Sequence, residues 1–436
     1  MNLNTLKDFR QQMYDCLLKA KDALFQTVDA LSTETTANSL PEVTQSLWFE
    51  RDWSSVYEAF EDGKLDQASL RQVFVRNRPQ AVEGGWLWIG IDASGIARPF
   101  SITSAQRTGM PVHNLPKAKK AITYGWQFST LVVLPEPASS RTFILDQQRI
   151  TSESTAIQTA VEQLRQVVKQ LPKKTIVLLD RGYDANWLWC QCSDLGIGTL
   201  GRLKTHRRLY RPAPPPTGNR GAPRKDGAVL QVGNASTYGT PDGQYDGMDQ
   251  KERPIQISWW KHLHVKEARW LEVTVIQVVR PRAKNSERDP RLSWFVWIGD
   301  PEEDLVQIAK AYTLRFGQEH GYRFDKQALL WEKPRLRTPQ AFALWSQVVA
   351  MAHNQLVLAT PLVEPVLHPW ESKHRPASLQ QVRRGFNKLL GQLGTPTRPP
   401  KPRGKAKGRQ KGAIIPKAER FAVTLKSPKL PPLVPR

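Results

Sequence analysis

The chain has 436 residues, with 63 Lys and Arg against 40 Asp and Glu, and its formal net charge is +23. This charge favours a polyanionic partner, either a nucleic acid or an anionic membrane. No apolar run approaches the length of a bilayer span, and the N-terminus lacks the apolar core of a signal peptide. The three cysteines, two of them in Cys-Gln-Cys, match neither a zinc spacing nor a redox pair. We therefore expect a cytoplasmic protein with reduced thiols and no membrane partner.

The first part of the chain, residues 1–80, is predicted to be helical. The stretch "LKDFRQQMYDCLLKAKDALFQTVDAL" places apolar residues at helical spacing. The stretch "SSVYEAFEDGKLDQASLRQVFV" predicts two short helices around Asp62 and Gly63.

Residues 81–203 alternate between strand and helix patterns. Strands are predicted in "GGWLWIGID", "ARPFSIT" and "YGWQFSTLVVLP", followed by an amphipathic helix in "TAIQTAVEQLRQVVKQL". The buried strand "KKTIVLLD", the helix "YDANWLWCQCSDLG" and the strand "IGTLGRL" complete this part. Strands followed by a strand–helix–strand unit predict a mixed α/β core.

The remaining chain divides into three segments. Residues 204–300 begin with a Pro- and Arg-rich arm and continue with alternating patterns that predict a β-rich insertion. Residues 301–360 return to helical patterns and complete the α/β core. Residues 361–436 contain "RPPKPRGKAKGRQKG", which has seven basic residues and no acid, so we expect a basic tail that is disordered until it meets an anion.

Three acidic residues occupy positions that could meet in the fold. Asp92 ends one predicted buried strand, Asp180 ends another, and Glu319 lies in the predicted helix "YTLRFGQEHGYRFDK". Carboxylates at the ends of adjacent strands repel one another unless hard cations lie between them, which suits Mg²⁺ or Mn²⁺. An Asp after a strand is more often a cap or a turn residue, so each acid alone is a weak signal.

Four polar residues share one face of the same predicted helix. Tyr312, Arg315, Glu319 and Lys326 fall on a stripe about 60° wide, because successive helical residues turn by about 100°. An amphipathic helix usually has an apolar stripe, whereas this one is polar. A solvated face with an Arg–Glu pair is the alternative. Combined with the strand-end acids, the stripe indicates a site for an anionic ligand and a metal, in which Arg315 could hold a phosphate through both guanidinium nitrogens.

These residues resemble the bacterial insertion-sequence transposases of the DDE class, in the branch with the signature Tyr-x2-Arg-x3-Glu-x6-Lys. The four residues of the stripe match that spacing without a gap. The stretches "GIDASGI" and "LLDRGYD" resemble the usual settings of the first two acids, and the Pro/Arg-rich arm and the β-rich segment also fit. The resemblance covers residues 45–412, and neither the acids nor the signature departs from the family pattern.

The resemblance implies a ribonuclease H-like core, interrupted after its fifth strand by the β-rich insertion. It implies that Asp92, Asp180 and Glu319 are catalytic and hold two Mg²⁺ or Mn²⁺ ions per active site. Members of the family bind the terminal inverted repeats of their own element and pair two ends in a homodimer. They cut through a hairpin intermediate and join the 3′ ends to target DNA. No small-molecule substrate is expected.

The resemblance also extends to residues that contact DNA. The helical residues 1–80 are the expected reader of the end sequence, with dimerisation or packing as an equal alternative. In the family, a Trp of the insertion and an aromatic residue after the signature Arg hold an extruded base. Trp294 and Trp297 should face opposite sides of a strand, so we expect only one of them to reach DNA. We favour Trp294 for this contact. The predicted DNA-binding residues are Tyr312, Arg315, Lys326, Trp294, Trp297, Phe316, Arg207, Arg208 and three loop lysines, Lys117, Lys119 and Lys120, for which a solvated loop is an equal alternative.

Two other functions remain open at this stage. A non-catalytic DNA-binding protein derived from such an enzyme would be favoured by the loss of an acid, and all three acids are present. A ribonuclease H-like nuclease that acts on DNA structures would share the acids, but it needs neither the polar stripe nor the large insertion. The sequence therefore favours a DNA transposase of the cut-and-paste type.

Overall fold

The computed structural model describes residues 2–112, 121–216, 222–280, 292–372, 374–401, 408, 410, 412–414, 417–426 and 428–433. Lys117, Lys119 and Lys120 lie outside these residues, as does much of the basic run in the C-terminal tail. The helices are α1 (Leu3–Asp15), α2 (Lys21–Thr33), α3 (Leu40–Val43), α4 (Trp53–Asp62), α5 (Gln67–Asn77), α6 (Ala156–Val167), α7 (Asn186–Asp194), α8 (Leu305–Ala311), α9 (Phe316–Gln327), α10 (Pro339–Ala359) and α11 (Leu379–Leu393).

The strands alternate with these helices through the first two hundred residues and then follow one another in the insertion. They are β1 (Leu17–Lys19), β2 (Lys64–Leu65), β3 (Leu87–Ala97), β4 (Thr108–Pro111), β5 (Ile122–Val133), β6 (Phe143–Ile150), β7 (Thr175–Leu179), β8 (Gly198–Arg202), β9 (Arg208–Tyr210), β10 (Val229–Gln231), β11 (Gly243–Met248), β12 (Pro254–Val265), β13 (Ala268–Val279) and β14 (Leu292–Ile298).

One mixed sheet forms the centre of the molecule, with the strand order β10-β9-β12-β13-β14-β8-β7-β3-β5-β4. The outer edge of β5 pairs with β4 along its first part and with β6 along the rest. β5 and β6 form an antiparallel meander with β3, whereas β7 and β8 run parallel to β3. The mixed α/β fold expected from the sequence is confirmed. The order β6-β5-β3-β7-β8 is consistent with the ribonuclease H-like arrangement that the resemblance implies.

The β-rich segment continues this sheet instead of standing apart from it. β14 pairs with β8, and β13, β12 and β9 extend the sheet outward from there. Its buried residues form a second hydrophobic cluster, which we call the insertion core. The insertion core contains Trp189, Cys190, Leu203, Leu209, Leu230, Val232, Trp260, Leu263, Val265, Ala268, Leu271, Val273, Val275, Trp294, Val296 and Ile298.

The N-terminal helices pack into the main core together with the two C-terminal helices. α2 lies against both α10 and α11, and buried side chains from all three belong to one cluster. The buried Arg10 guanidinium pairs with Asp29 at 2.6 Å and donates to Gln355 Oε1 in α10. α10 is buried along nearly its whole length, and this includes its polar residues Ser346, Gln347, His353, Asn354 and Gln355. Within the described residues, no helix combines the length and the apolar character that crossing a membrane demands.

Three local predictions differ from the structure. The stretch "ARPFSIT" forms turns because the chain leaves the sheet after Ala97. Asp92 lies inside β3, since the antiparallel pairing with β5 continues to Ala97 after the parallel pairing with β7 has ended at Gly90. The helix predicted over 312–326 is divided, because Tyr312–Arg315 forms a 3₁₀ turn between α8 and α9. A 3₁₀ turn has three residues per turn, so it aligns Tyr312 with Arg315 on one side.

The end of the chain, beyond the basic run of residues 398–412 that is predicted to be disordered, is attached to the sheet. The Phe421 and Thr424 amides donate to the backbone carbonyls of Ile102 and Arg107. Thr424 also forms a parallel bridge with Thr108 in β4. This part of the tail is therefore ordered against the edge of the sheet.

Candidate active site

Three carboxylates that are distant in sequence meet at one edge of the sheet. Asp92 lies in β3 and Asp180 directly follows β7, and these two strands are parallel neighbours. Their carboxyl ends therefore lie at the same edge. Glu319 reaches this edge from the first turn of α9. Asp180 also caps the 3₁₀ turn Arg181–Tyr183 by accepting a hydrogen bond from the Gly182 amide at 2.7 Å, so the turn and the site share this side chain.

α9 carries Glu319 close to the sheet because two glycines allow a close approach. A Cβ atom at Gly90 would lie 2.7 Å from Gln318 Oε1, and one at Gly321 would lie 2.5 Å from Thr142 Oγ1. The Gln318 side-chain amide donates to the Thr130 carbonyl at 2.8 Å, and the Tyr322 hydroxyl donates to the Asp92 carbonyl at 2.7 Å. Both bonds tie α9 to the backbone beside the first acid.

Arg315 lies between the three acids. Its Nη2 is 3.3 Å from Asp92 Oδ2 and 3.4 Å from Asp180 Oδ2. Its Nη1 is 3.5 Å from Glu319 Oε1. The Nε–H group is buried without a hydrogen-bond partner among the described residues. One guanidinium thus balances the charge of three carboxylates, at distances longer than an ideal charged hydrogen bond. The electrostatic attraction is present, but none of the three contacts is short.

The charged groups of this cluster shift one another's pKa values. Burial raises the pKa of Asp92 to about 6; the Arg315 charge opposes this shift, and Asp180 adds to it. Burial alone would lower the pKa of Arg315, but the negative charge of Asp92 and the other acids outweighs burial and raises it. Burial also raises the pKa of Tyr312 to about 12, so this phenol stays protonated and can donate a hydrogen bond at neutral pH.

The carboxylate oxygens of the three acids suit a hard divalent cation, although they are not arranged as a complete metal site. Within the described part of the chain, no three His, Cys, Asp or Glu side chains are arranged to hold a metal ion. The three carboxylates instead surround the Arg315 guanidinium, which supplies positive charge at the place between Asp92 and Asp180. Oxygen ligands of this kind are those that Mg²⁺ and Mn²⁺ prefer. Asp92, Asp180 and Glu319 therefore fit a divalent ion in chemistry, provided that Arg315 moves aside.

The acids line an open pocket of about 800 Å³ whose other wall is basic. Arg181, Arg202, Lys204 and His206 face the same space as the carboxylates. Among the described residues, no carboxylate or other hydrogen-bond partner contacts the half-buried Arg202 guanidinium. The sequence analysis missed Arg202, although it ends the strand "IGTLGRL" next to β7 and so had the same strand-end signal as the acids.

The other residues of the predicted stripe lie beside the pocket. The Tyr312 ring packs 4.5 Å from the Phe295 ring, centroid to centroid. The Lys326 ammonium donates to the Gly95 carbonyl at 3.2 Å and lies 3.9 Å from the exposed Glu332 carboxylate. Phe316 lines the pocket and is 52% exposed, so its ring is available to a ligand.

Arg207 and Arg208 have different surroundings. The Arg207 guanidinium pairs with the fully buried Asp184 carboxylate at 2.6 Å and lies over the Trp189 ring. These contacts hold the arm against α7, which makes Arg207 a structural residue in this state. Arg208 is exposed on β9, and its Nε–H donates to Gln231 Oε1. Neither residue lines the acid pocket.

The expectation that one of two tryptophans is accessible needs correction. Trp294 and Trp297 do face opposite sides of β14, since Trp294 belongs to the insertion core and Trp297 to the main core. Both are buried, at 5% and 2% exposure. The Trp294 ring stacks on Trp260 at 5.5 Å, and Tyr238 packs against it at 4.7 Å. The sheet is covered on both faces here, so alternation along the strand does not expose either ring.

Comparison with families of known proteins identifies a family for this chain. The family described as DDE superfamily endonuclease matches residues 12–264, which is more than half of the chain. The matched range contains Asp92 and Asp180 but ends before Glu319 and the Tyr-Arg-Glu-Lys stripe. No curated protein matches the sequence.

Proposed function

Since the chain belongs to the DDE superfamily of endonucleases, which are metal-dependent enzymes that act on DNA, we propose that it is the transposase of an insertion sequence. It binds the terminal inverted repeats of its element, cuts both ends through a hairpin intermediate and joins the 3′ ends to target DNA as a homodimer. The observation that supports this most strongly is the meeting of Asp92, Asp180 and Glu319 around Arg315, because the third acid and the signature lie outside the matched range.

The three acids hold the metal in this proposal. Asp92, Asp180 and Glu319 would hold a pair of Mg²⁺ or Mn²⁺ ions, which would supply activation of the attacking oxygen and stabilisation of the leaving oxygen in phosphoryl transfer. Asp92 is the most buried of the three acids, and its place within β3 fixes its position on the sheet. Glu319 is half-exposed and lies in the first turn of α9, so it can adjust as DNA enters.

The cations around the acids position the DNA. Arg315 exchanges its three carboxylates for a phosphate, which its planar fork can hold through two hydrogen bonds. Arg202 and Lys326 stand on two sides of the acids, and each presents a positive charge to the backbone of the same strand. The protonated Tyr312 hydroxyl donates to a phosphate oxygen. Phe316 offers the exposed ring on which an extruded base near the cut can stack, a contact worth about 1–3 kcal/mol.

The acids can be tested by removing one charge at a time. Asp92→Asn, Asp180→Asn and Glu319→Gln should each abolish nicking of a plasmid that carries the ends of the element, because Mg²⁺ needs anionic oxygen ligands. Glu303→Gln is the matched control, since Glu303 is outside the pocket and makes no side-chain contact with the acids. Nicked, hairpin and joined products are separated on a denaturing gel.

The outcomes also distinguish the alternative functions. A Glu319→Gln protein that nicks with Mg²⁺ at the rate of the Glu303→Gln control would remove Glu319 from the catalytic set. Wild-type protein that cuts branched DNA but neither forms hairpins nor joins ends would be a structure-specific nuclease. Wild-type protein that binds the ends without any cleavage would be a DNA-binding regulator.

A further inference from the structure

A second pocket with basic walls lies beside α9, on a different face of that helix from the acids. It has a volume of about 720 Å³ and is bounded by α9, the start of α11 and the loops at residues 35–38 and 138–140. We call it the α9–α11 pocket. Among the described residues that line it there is no Asp or Glu, whereas four can carry a positive charge: His320, Arg323, Arg375 and Arg383.

The α9–α11 pocket is close to the acid pocket because both use α9. His320 and Arg323 follow Glu319 by one and four positions, so their side chains point about 100° and about 40° away from it around the helix axis. Arg323 is also about 6 Å further along that axis. One turn of a DNA duplex is about 34 Å long. A single duplex that reaches the acids is therefore long enough to contact both pockets.

Three of the four cations are exposed and have no acidic partner. Within the described part of the chain, His320, Arg323 and Arg375 are exposed and form no ion pair. Hydroxyl side chains, among them Thr35 and Ser140, line the same pocket. Arginine and hydroxyl side chains are groups that donate to phosphate oxygens in protein–DNA interfaces. The exposed part of the pocket is therefore suited to a phosphate.

Arg383 contributes a buried positive charge to the pocket wall. It is 2% exposed, its Nε–H donates to the Leu31 carbonyl at 2.7 Å, and its Nη2 donates to the Glu34 carbonyl. These carbonyls lie at the end of α2, so the guanidinium also caps that helix. Its Nη1 has no hydrogen-bond partner among the described residues. Burial lowers the pKa of Arg383 to about 10, although the Glu34 charge opposes this shift. An anion in the pocket would stabilise this buried charge.

The start of α11 makes the pocket more favourable to an anion. α11 has 15 residues, its N-cap Ser378 lines the pocket, and its first turn contains no acid. The first amides of a helix lack acceptors within the helix and carry a partial positive charge. The helix end and the four cations therefore favour the same kind of ligand.

We propose, on the basis of the proposed function, that the α9–α11 pocket is a second DNA-binding site, which holds backbone phosphates outside the acid pocket. Its exposed arginines can reach a duplex at the surface, and the buried Arg383 guanidinium and the start of α11 strengthen the attraction. The contact does not depend on base sequence, because phosphate contacts position a protein on DNA without reading bases.

The test removes the two exposed arginines and leaves Arg383 and its cap on α2 in place. Each lost phosphate contact reduces the slope of log affinity against log salt by about 0.9, so Arg323→Gln combined with Arg375→Gln should make this slope shallower by about 1.8. The change should be the same for a duplex that carries the element end and for a random duplex. Fluorescence anisotropy in Ca²⁺, without cleavage, measures both at several salt concentrations.

Lys169→Gln combined with Lys173→Gln is the matched control. It removes the same charge from two exposed residues that precede β7, at the edge of the sheet opposite Asp180. Its salt slope should equal that of the wild type. Binding of inorganic phosphate without DNA, measured by isothermal titration calorimetry, distinguishes a free phosphate ligand from DNA.

Three outcomes would contradict these assignments. An unchanged slope in the arginine variant, or an equal reduction in the lysine control, would overturn the second DNA-binding site. An unchanged slope together with loss of inorganic phosphate binding would assign the pocket to a small phosphate compound instead of DNA. Failure of the wild-type protein to bind either duplex would instead overturn the proposed function.

Discussion

Arg315 determines whether the three carboxylates of the acid pocket are free to bind a metal ion. Its guanidinium is about equally distant from all three carboxylates, and it therefore neutralises a cluster that would otherwise repel itself. A divalent ion needs the same oxygen atoms. Metal binding and the Arg315 contacts would therefore compete, and under the proposed function a DNA phosphate would replace the carboxylates as the partner of Arg315.

This competition predicts the effect of Arg315→Met on metal binding. With the guanidinium absent, the carboxylates have no competing cation, so Mg²⁺ should bind at least about tenfold more tightly, which corresponds to about 1.4 kcal/mol. Isothermal titration calorimetry without DNA measures the change. Arg202→Met is the control, because it removes a positive charge from the same pocket but contacts no carboxylate among the described residues. An equal gain in both variants would show a general effect of charge and contradict the competition.

The residues around the pocket also show what a sequence can and cannot predict. The strand-end signal identified Asp92 and Asp180 as neighbours, because parallel strands end at one edge whatever surrounds them. Alternation along β14 correctly placed Trp294 and Trp297 on opposite faces. It could not show that both faces are covered, since the cover comes from residues far away in sequence, such as Tyr238 and Trp260. Phe316 therefore remains the aromatic residue with an exposed ring at the pocket.

At the scale of elements, α9 is positioned by a buried ion pair on the side away from the pocket. His353 Nδ1 lies 2.6 Å from Asp325 Oδ1, and its Nε2 lies 2.6 Å from the Thr142 carbonyl. Both ring nitrogens therefore face acceptors, as in a protonated imidazole. Burial alone would lower the pKa of His353, but the Asp325 charge and the two hydrogen bonds outweigh it and raise the pKa. The pair connects α9 to α10 and to the start of β6.

The raised pKa of His353 makes this connection depend on pH. A group with a raised folded-state pKa contributes stability that is complete below its unfolded pKa of about 6.5 and is lost as pH rises through the folded value. The free energy of unfolding lost in His353→Gln should therefore be largest below pH 6.5 and smaller in alkaline solution. Urea unfolding at several pH values measures it, with the exposed His206→Gln as control. A difference that stays constant or grows with pH would mean that His353 is neutral in the folded protein.

Helix prediction succeeded where the pattern is local and failed where a distant contact intervenes. Apolar spacing identified α6, α7 and α10 from the sequence. The 3₁₀ turn Tyr312–Arg315 was not predicted, because Tyr312 packs on Phe295 and Arg315 turns toward acids from two other segments. Local propensity contains no information about either contact.

At the scale of the whole molecule, the segments predicted as separate units are joined through the main core and the central sheet. The helices of residues 1–80 pack on α10 and α11, and β14 joins the insertion to β8. Composition identified the segments, since arms and insertions differ from the core in Pro, Gly and Arg content. Their attachment rests on pairing between residues far apart in sequence, which periodicity does not reveal. The attachment of Thr424 and Lys426 to the sheet is a further example, because nothing in the sequence pattern beyond the basic run indicates their partners.

The net charge of the molecule leads to a prediction about the basic run in the C-terminal tail. Residues 398–412 contain seven Lys and Arg and no acid, and each cation that meets a phosphate releases a counterion and adds about 0.9 to the slope of log affinity against log salt. Replacing all seven with Gln should lower that slope by up to about 6 while the preference for the element end over random DNA persists. Anisotropy titrations at several salt concentrations, with both duplexes, measure slope and preference together. The wild-type protein, titrated under the same conditions, is the comparison. If the Gln variant lost its preference for the end, the run would read bases, and the recognition assigned to the helical N-terminal region would belong to the tail.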